Sequence, residues 1–402
     1  MRRLISIAAL LLALASYLEL AWPPFYDFPG EQPFSGEHWY QPYAGYRGGG
    51  LLANFHAHAN AWGGLTFGEV SREELFEIYS ARGYDLVGIS DYMSIAPRPP
   101  GAALHLPTYE HGYTIGRRHQ TVIGASRVHW FDYPLGGGVR HKQHVIEVLR
   151  PTAEVLVLNH LGKAGSYAPA DLARLTGYDA IEVASKYGIS TEFWDAALSA
   201  GRPVWGMASD DGHTQRSRPS HVGIGAVRID ADERTPEAAL RALRAGRFHS
   251  LHRRPTQAPI ALLRCELDGG ELVVRVGEVA DAIRVVSARG ALRHEARGTD
   301  EARYRPDAAD PYLRVEVHAR GAQLFANPLL RWDGVALPDV RARARPLPTW
   351  TVRALGALAL ALLVRLSARW VRAGSGTARS RRRGPGSPAA PEPGSARGSD
   401  RS

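Results

Sequence analysis

Short apolar runs that each end at a histidine or an aspartate are the feature that most constrains this sequence. Residues 51–55, 85–90, 153–159 and 203–209 have the length and composition typical of buried strands. Because active residues of a closed α/β barrel lie at the carboxyl ends of its strands, this pattern predicts one shared site. The polar residues at these ends are His56, Asp91, His160 and the pair Asp210-Asp211.

Helical stretches separate the apolar runs. Ser71-Arg72-Glu73-Glu74 is a capping box, which predicts a helix that begins near Ser71 and ends at Gly83. Strands that alternate with helices predict a largely parallel sheet, either a closed barrel or an open doubly wound sheet. No G-x-G-x-x-G phosphate loop follows the first strand, which favours the barrel. Further helices are predicted at residues 144–149, 169–175, 192–200 and 236–245.

A second, smaller domain is predicted for residues 255–340. Residues 271–276, 283–286 and 313–318 alternate apolar and polar side chains, and Asp268-Gly269-Gly270 is typical of a turn between strands. These signals predict a small antiparallel β-sandwich, and none of its residues suggests chemistry.

Both ends of the chain carry a hydrophobic segment. Residues 1–22 predict a signal peptide or an amino-terminal membrane anchor. Residues 349–371 predict a membrane-spanning helix if the flanking arginines reach the interface, or otherwise a helix that lies on the membrane surface. Residues 372–402 are rich in Gly, Ser, Pro and Arg and predict a disordered basic tail. Because Arg2-Arg3 and the basic tail would both be cytoplasmic, the central region is expected on the extracytoplasmic side of the cytoplasmic membrane.

The charge and the cysteine content exclude some classes of function. The net charge is +9, but residues 365–402 hold nine arginines against Glu392 and Asp400, a net of +7. The remaining chain is nearly neutral, so we expect no nucleic-acid partner. Cys265 is the single cysteine, which excludes an intramolecular disulfide and a multi-thiolate metal site.

His56-Ala57-His58 is the strongest sign of a metal site. Residues two apart on a strand point to the same side, so both imidazoles can reach one ion. Thirteen of the sixteen histidines lie between His56 and His252, inside the predicted first domain at residues 45–252.

The order of these motifs resembles the polymerase-and-histidinol-phosphatase (PHP) superfamily. The resemblance covers about residues 50–250 and implies a distorted (β/α)7 barrel that holds two or three metal ions and hydrolyses phosphoesters. It is carried by Asn54-Phe55-His56-Ala57-His58, residues 83–91, Tyr109-Glu110-His111-Gly112, His119, Leu158-Asn159-His160 and Ser209-Asp210-Asp211-Gly212-His213.

The resemblance implies a role for each matching residue. Glu110 resembles the carboxylate that bridges two metals; an alternative register would place Ser126 and His129 at the positions of Glu110 and His119. Asp91 is expected either to bind metal or to hydrogen-bond a ligand histidine. The implied ligands are His56, His58, Asp91, Glu110, His119, His160, Asp211 and His213.

Two positions depart from the family pattern. Gly63 and Tyr92 stand where the family usually has an aspartate and a histidine. We therefore expect two divalent metal ions, with the third site weakened. Nitrogen and oxygen ligands suit Zn, Mn or Fe.

The expected activity is that of a membrane-tethered phosphoesterase that uses a metal-activated water. Asp210 is the predicted proton acceptor, unless it only caps a loop, and Lys163 is predicted to bind the substrate phosphate. Further phosphate-binding candidates are Arg117, Arg118, Arg216 and Arg218. The substrate would be a phosphorylated small molecule or an envelope phosphodiester. The alternatives are a metal-retaining binding or sensor module without catalysis, and a purely structural barrel.

Overall fold

The computed structural model describes residues 1–66, 68–213 and 221–380. It is a mixed α/β structure with seven α-helices in these ranges: α1 Arg2–Leu20, α2 Arg72–Ser80, α3 Val139–Leu149, α4 Pro169–Leu172, α5 Thr191–Ser199, α6 Pro236–Arg244 and α7 Pro346–Ser380. Residues 372–380 of the predicted disordered tail belong to α7, and the rest of that tail lies outside the described residues.

The strands form several sheets. In chain order they are β1 Tyr26–Asp27, β2 His38–Tyr40, β3 Leu51–His58, β4 Leu86–Ile89, β5 Thr108–His111, β6 Gln120–Ile123, β7 Val155–Leu158, β8 Ala180–Ser185, β9 Gly188–Ile189, β10 Trp205–Ala208, β11 Gly212–His213, β12 Gly225–Ile229, β13 Phe248–His252, β14 Leu262–Asp268, β15 Glu271–Ala280, β16 Ala282–Ser287, β17 Ala291–Ala296, β18 Thr299–Tyr304, β19 Tyr312–Ala319, β20 Ala322–Trp332 and β21 Arg343–Ala344.

The helices of the first region follow the local sequence signals. The Ser71 side chain accepts a hydrogen bond from the Glu74 amide (3.1 Å), as the capping box predicts, and Leu75 and Tyr79 bury one face of α2. Thr235 caps α6 in the same way, through the Ala238 amide. Most predicted helices are confirmed within a few residues, but α3 begins earlier than predicted, at Val139.

The strands of the first region belong to two sheets. One sheet has the order β10-β8-β7-β6-β5, with β9 beside β8. In the other, β3 lies between β4 and β12, with β11 also paired to β3. The pairs β5–β6, β6–β7 and β3–β12 are antiparallel, so the sheets are mixed.

No closed barrel is seen among the described strands, so the predicted (β/α)7 barrel is not confirmed. On one side the two sheets meet through an isolated bridge between Tyr92 and Glu110. On the other side the Ser250 hydroxyl takes the place of a ladder: it accepts from the Ala208 amide (2.7 Å) and donates to the Gly206 carbonyl (2.9 Å). A barrel needs a continuous ladder around its circumference, and both connections interrupt it.

The region after residue 255 consists of antiparallel strands. β14, β15 and β18 form a three-stranded sheet, while β16, β17, β19 and β20 belong to a ten-stranded sheet. Side chains of both sheets, including Val274 and Val315, share one hydrophobic core. The ten-stranded sheet continues across the predicted domain boundary, because β13 pairs with β20. The division of the chain into one domain at residues 45–252 and another at residues 255–340 stays a prediction.

Among the described residues, helices α1 and α7 belong to a compact unit of their own, made of residues 1–22 and 347–380, while residues 23–346 belong to the other unit. The Arg353 guanidinium donates to the Trp22 carbonyl (2.6 Å). A Cβ at Gly356 would lie 2.6 Å from the Tyr17 ring, so glycine allows the two helices to approach closely. Residues Arg2–Leu20 and Pro346–Ala373 are long and apolar enough to cross a membrane, which agrees at a coarse level with the predicted membrane association.

Candidate metal centre

Strand β3 places the paired histidines. All eight of its side chains are buried, and His56 and His58 point to the same side with ring centroids 5.2 Å apart. β11 lies parallel to β3 with His213 in register with His58, and the centroids of these two rings are 4.4 Å apart. The alternation of a strand therefore brings three imidazoles to one place.

Glu110, on β5, lies at the middle of a histidine cluster. Its Oε1 is 3.2 Å from His56 Nε2, 3.0 Å from His119 Nδ1 and 3.2 Å from His160 Nε2. Its Oε2 is 3.1 Å from His58 Nε2. One carboxylate thus faces four imidazoles from three separate segments, as a bridging ligand would.

Asp211 faces the same histidines from the end of β10. Its Oδ1 is 3.4 Å from His58 Nε2 and 3.5 Å from His56 Nε2, and its Oδ2 is 3.3 Å from His160 Nε2. Both Asp211 (φ 43°) and His160 (φ 46°) have left-handed backbones, which non-glycine residues adopt rarely and mostly where the surroundings enforce it.

Three overlapping sets of these side chains could each hold a metal ion, with the ligand atoms of each set within 4.8 Å of one another. They are His56, His58 and Asp211; Glu110, His119 and His160; and His56, His160 and Glu182.

Several atoms that face one another in this cluster are buried without a hydrogen-bond partner. A buried polar atom left without a partner costs about 1–3 kcal/mol, so several in one place need an explanation. Because imidazole nitrogens and carboxylate oxygens are metal ligands, divalent cations fit this donor set. The unpartnered atoms are His56 Nε2, His58 Nε2, His160 Nε2, Glu110 Oε2 and Asp211 Oδ1.

The charges of the cluster depend strongly on one another. Burial alone would lower the pKa of His56 and of His160, but the adjacent carboxylates outweigh burial: the pKa of His56 lies well above its ordinary value, and that of His160 rises to about 9. Burial would raise the pKa of Glu110 and of Asp211, but the neighbouring histidines hold both well below the usual range. The carboxylates therefore stay ionised and require positive charge beside them.

Sequence reasoning did not single out Glu182, which lies on β8. Its Oε1 is 2.9 Å from His56 Nδ1, and its Oε2 accepts a hydrogen bond from the His160 amide (2.9 Å). The Ser209 hydroxyl also contacts Oε1. β8 is buried along its whole length, and a glutamate inside such an apolar segment is the signal that could have identified this residue.

Asp91 is not brought into the cluster. Its Oδ1 accepts from the Ala59 amide (2.8 Å) and its Oδ2 from the Arg72 guanidinium (2.7 Å). Both oxygens therefore have partners other than a metal or a ligand histidine. The salt bridge with α2 depends on the packing of that helix, which the local sequence does not reveal.

Asp210 is also turned away from the histidines, unlike its neighbour Asp211. Its carboxylate accepts from the Tyr79 hydroxyl (2.7 Å) and from the amides of Gly223 (2.9 Å) and Gly225 (2.7 Å). Burial raises its pKa to about 6. These contacts correspond to the loop-capping alternative and not to the predicted proton acceptor.

Two lysines bring positive charge to the cluster. Lys163 Nζ lies 3.6 Å from the centre of the Tyr187 ring, and its pKa is lowered by burial, with smaller effects from Arg117 and Lys186. Lys186, which sequence reasoning did not single out, lies 3.5 Å from Asp211 Oδ1 and 3.1 Å from His213 Nδ1.

The remaining candidates lie elsewhere or outside the described residues. Arg118 donates to the backbone carbonyl of Tyr133 (3.4 Å), so it supports the loop. In the alternative register, the Ser126 hydroxyl contacts the Thr152 carbonyl (3.5 Å) and His129 Nδ1 accepts from the Phe131 amide (3.3 Å), so neither is placed in the cluster. Arg216 and Arg218 lie outside the described residues.

The two departures from the family pattern have different surroundings. Gly63 has a left-handed backbone (φ 65°). The Tyr92 ring stacks on His58, with centroids 4.6 Å apart and an interplanar angle of 20°. Burial, together with Glu110, raises the pKa of Tyr92, so its hydroxyl stays protonated.

Comparison with known proteins gives few matches. No protein-family model matches the sequence. No curated protein matches it either. Among solved structures, the chain is similar to a two-domain protein from Bacteroides vulgatus described as containing a predicted PHP-like metal-dependent phosphoesterase. That match has 11% sequence identity and a TM-score of 0.40, and covers 79% of this chain and 98% of the other.

Proposed function

We propose that this chain is a metal-dependent phosphoesterase with a dinuclear centre. The observation that carries the proposal is the buried cluster in which Glu110 and Asp211 face three histidines whose Nε2 atoms have no hydrogen-bond partner, namely His56, His58 and His160. One ion would be held by His56, His58 and Asp211, and the other by Glu110, His119 and His160. His213 is an additional ligand candidate beside Asp211.

Divalent ions bound in such a site neutralise the charge of a phosphoester and increase the acidity of water. The chain's own residues would bind and orient the substrate. Lys163 and Lys186 would contact the phosphate oxygens. Lys186 Nζ lies 3.5 Å from Asp211 Oδ1, and Lys163 Nζ lies over the Tyr187 ring, whose centroid is 5.9 Å from that of His160. Glu182 would hold His56 and the His160 backbone in place through its two oxygens.

The same proposal includes the location of the protein. The apolar helices α1 and α7 would attach the chain to the cytoplasmic membrane, with residues 23–346 on the extracytoplasmic side. The substrate would then be a phosphorylated small molecule or an envelope phosphodiester. The region of residues 45–252 would carry the chemistry, and residues 255–340 would have no catalytic role.

The test uses the full chain in detergent, loaded with Zn, Mn or Fe. We expect about two bound ions per chain by elemental analysis and release of p-nitrophenol from mono- and bis-p-nitrophenyl phosphate. His58→Ala should lower turnover about a thousand-fold, because lost metal chemistry is worth several kcal/mol. His294→Ala, in β17, is the matched control and should retain metal and activity. A folded, metal-loaded chain without turnover on a broad panel of esters would contradict the proposal.

A second candidate function is a metal-retaining binding or sensor module. The observation that favours it is Asp210, whose oxygens are engaged by Tyr79, Gly223 and Gly225, so that the predicted proton acceptor does not face the cluster. Two bound ions and tight binding of inorganic phosphate, without turnover of any ester, would support this function over catalysis.

A further inference from the structure

A pocket lined by aromatic side chains opens directly beside the metal centre. Its volume is about 530 Å³, and its lining residues are Trp62, Tyr92, Met93, Gly112, Tyr113, Thr114, Arg117, His119 and Trp130. Two of these residues also belong to the surroundings of the centre. His119 Nδ1 is 3.0 Å from Glu110 Oε1, and Tyr92 stacks on His58. The pocket and the metal centre therefore share a wall.

Two tryptophans are held with their rings open to this pocket. Trp62 is 49% exposed and Trp130 is 58% exposed, and their ring centroids are 5.9 Å apart at an interplanar angle of 72°. Trp62 has a left-handed backbone (φ 55°), and its indole N–H donates to the Tyr92 carbonyl (2.7 Å). A bulky residue rarely adopts this backbone, so the ring is fixed in place at a conformational cost.

One of the residues that line the pocket, Gly112, must be a glycine. Gly112 has φ 129°, and a Cβ there would lie 2.5 Å from the His119 ring. Any larger residue would displace a ring that faces Glu110. The space between the tryptophans and the centre is thus kept open by the chain itself.

The polar groups of the pocket favour a planar ring over a sugar. The Tyr113 hydroxyl donates to the Trp130 carbonyl (3.0 Å), and Thr114 Oγ1 accepts from the Arg118 amide (2.9 Å). With the Trp62 N–H also engaged, few groups remain to bind several hydroxyls. Arg117 supplies positive charge at the edge of the pocket, and that charge acts on Lys163.

We propose that this pocket is a subsite for an aromatic ring on the leaving group of the substrate. The inference rests on the proposed phosphoesterase function and narrows its substrate class to phosphoesters that carry an aryl group. Many kinds of aromatic ring can stack on an exposed tryptophan, so stacking alone selects for a ring and not for one particular compound.

The experiment compares three alkyl phosphates whose alcohols have similar acidity. 2-Phenylethyl phosphate carries an aromatic ring, 2-cyclohexylethyl phosphate carries a saturated ring of similar size, and ethyl phosphate has no ring. With the metal-loaded full chain, kcat/KM for the phenyl ester should exceed that for ethyl phosphate about tenfold. The cyclohexyl ester should fall between them.

Substitutions at Trp130 test the role of stacking. Trp130→Ala should remove most of the preference for the phenyl ester, and Trp130→Phe should restore it. Trp350→Ala is the matched control, because Trp350 is 63% exposed and does not line the pocket. Equal kcat/KM for the three esters, or a preference that Trp130→Ala leaves unchanged, would overturn the subsite while leaving the phosphoesterase proposal intact.

A binding measurement tests the subsite even if the chain does not hydrolyse these esters. Equilibrium binding of the same three esters, followed by tryptophan fluorescence, should show the same order of affinity and the same loss in Trp130→Ala. Binding with this order but without turnover would overturn the enzymatic proposal and support the subsite. Equal affinities for the three esters would overturn the subsite.

Discussion

The buried charged side chains around Arg314 and those around Glu110 differ in how their charges are balanced. In the cluster around Arg314, the guanidinium Nε donates to Asp195 Oδ1 (2.7 Å) and Nη2 donates to Oδ2 (2.6 Å). Glu316 contacts the same guanidinium, and the Tyr312 hydroxyl donates to Asp195 Oδ1 (2.9 Å). This cluster contains its own permanent cation.

In the described part of the chain, no arginine pairs with the carboxylates of the cluster around Glu110, and the cation nearest to them is Lys186, 3.5 Å from Asp211 Oδ1. These carboxylates face imidazoles, which are neutral or charged depending on protonation, and several ligand atoms have no hydrogen-bond partner. A buried anion requires a counter-charge, and an Arg side chain supplies one permanently whereas an imidazole can exchange a proton for a metal. The cluster around Arg314 is therefore suited to maintain the fold, and the cluster around Glu110 is suited to bind metal cations.

The largest expected effect comes from removing the built-in cation. Arg314→Met leaves Asp195 and Glu316 buried without their partner, and should lower the free energy of unfolding by about 3–5 kcal/mol in chemical denaturation. Arg297→Met is the control: Arg297 pairs with Glu295 on the surface and is worth at most about 1 kcal/mol. A loss at Arg314 no larger than that of the control would break the comparison.

Removing metal should lower the free energy of unfolding through the cluster around Glu110 and not through the cluster around Arg314. Because an ion that binds the folded state stabilises it by mass action, Zn at a hundred times its Kd should raise the free energy of unfolding by about 2.7 kcal/mol for each occupied site over the chelated chain. The same increment is expected in the Arg314→Met background and should be smaller in His58→Ala, which removes a ligand of one of the two proposed ions. An identical melting temperature with and without metal in the wild-type chain would contradict the assignment of this cluster.

Glu182 is a positioning residue, because it holds His56 and the His160 backbone beside the metal-binding atoms. Glu182→Gln weakens the contacts to His56 Nδ1 and the His160 amide, and should reduce metal affinity about 10–100-fold in a competition assay with a chromogenic chelator. Glu154→Gln is the matched control, since Glu154 pairs with Arg244 at the surface. A purely structural role would instead lower the stability of the metal-free chain and leave the affinity unchanged.

The smallest effect concerns the pH dependence of the Arg314 cluster. Burial would raise the pKa of Glu316, but His318 and Arg314 lower it to about 2. Because the folded pKa lies below the ordinary value of 4.5, the stabilisation is complete at neutral pH and is lost as the pH falls from about 4.5 towards 2. Glu316→Gln should therefore flatten the decrease in stability below pH 5, by about 1 kcal/mol at pH 4. Parallel stability curves for the two chains would show that Glu316 does not carry this dependence.

Much of the metal cluster follows from short-range patterns. His56 and His58 lie on one side of β3 because a strand alternates its side chains, and the capping box at Ser71 starts α2 where expected. The placement of Glu110, His119, His160 and Asp211 around these histidines was expected from the resemblance of the motifs, and the structure brings them together. Their roles as metal ligands stay a proposal.

Other features depend on how distant segments pack. Asp210 and Asp211 are adjacent and chemically alike, yet only Asp211, with its left-handed backbone, faces the histidines. Asp91 pairs with Arg72 of α2, a contact set by the way that helix packs. The two sheets of the first region meet only through the Ser250 hydroxyl and the bridge between Tyr92 and Glu110 in the described residues, and these contacts do not close a barrel.

Local sequence patterns were sufficient to locate most helices and several buried strands, to show which side chains share a face, and to show which residue types are available as metal ligands. These properties depend on neighbours a few positions away, so periodicity and capping reveal them. Only the tertiary structure decided that Glu182 and Lys186 join the cluster and that Asp91 and Asp210 do not. Such outcomes depend on distances between segments far apart in the chain, which no local pattern encodes.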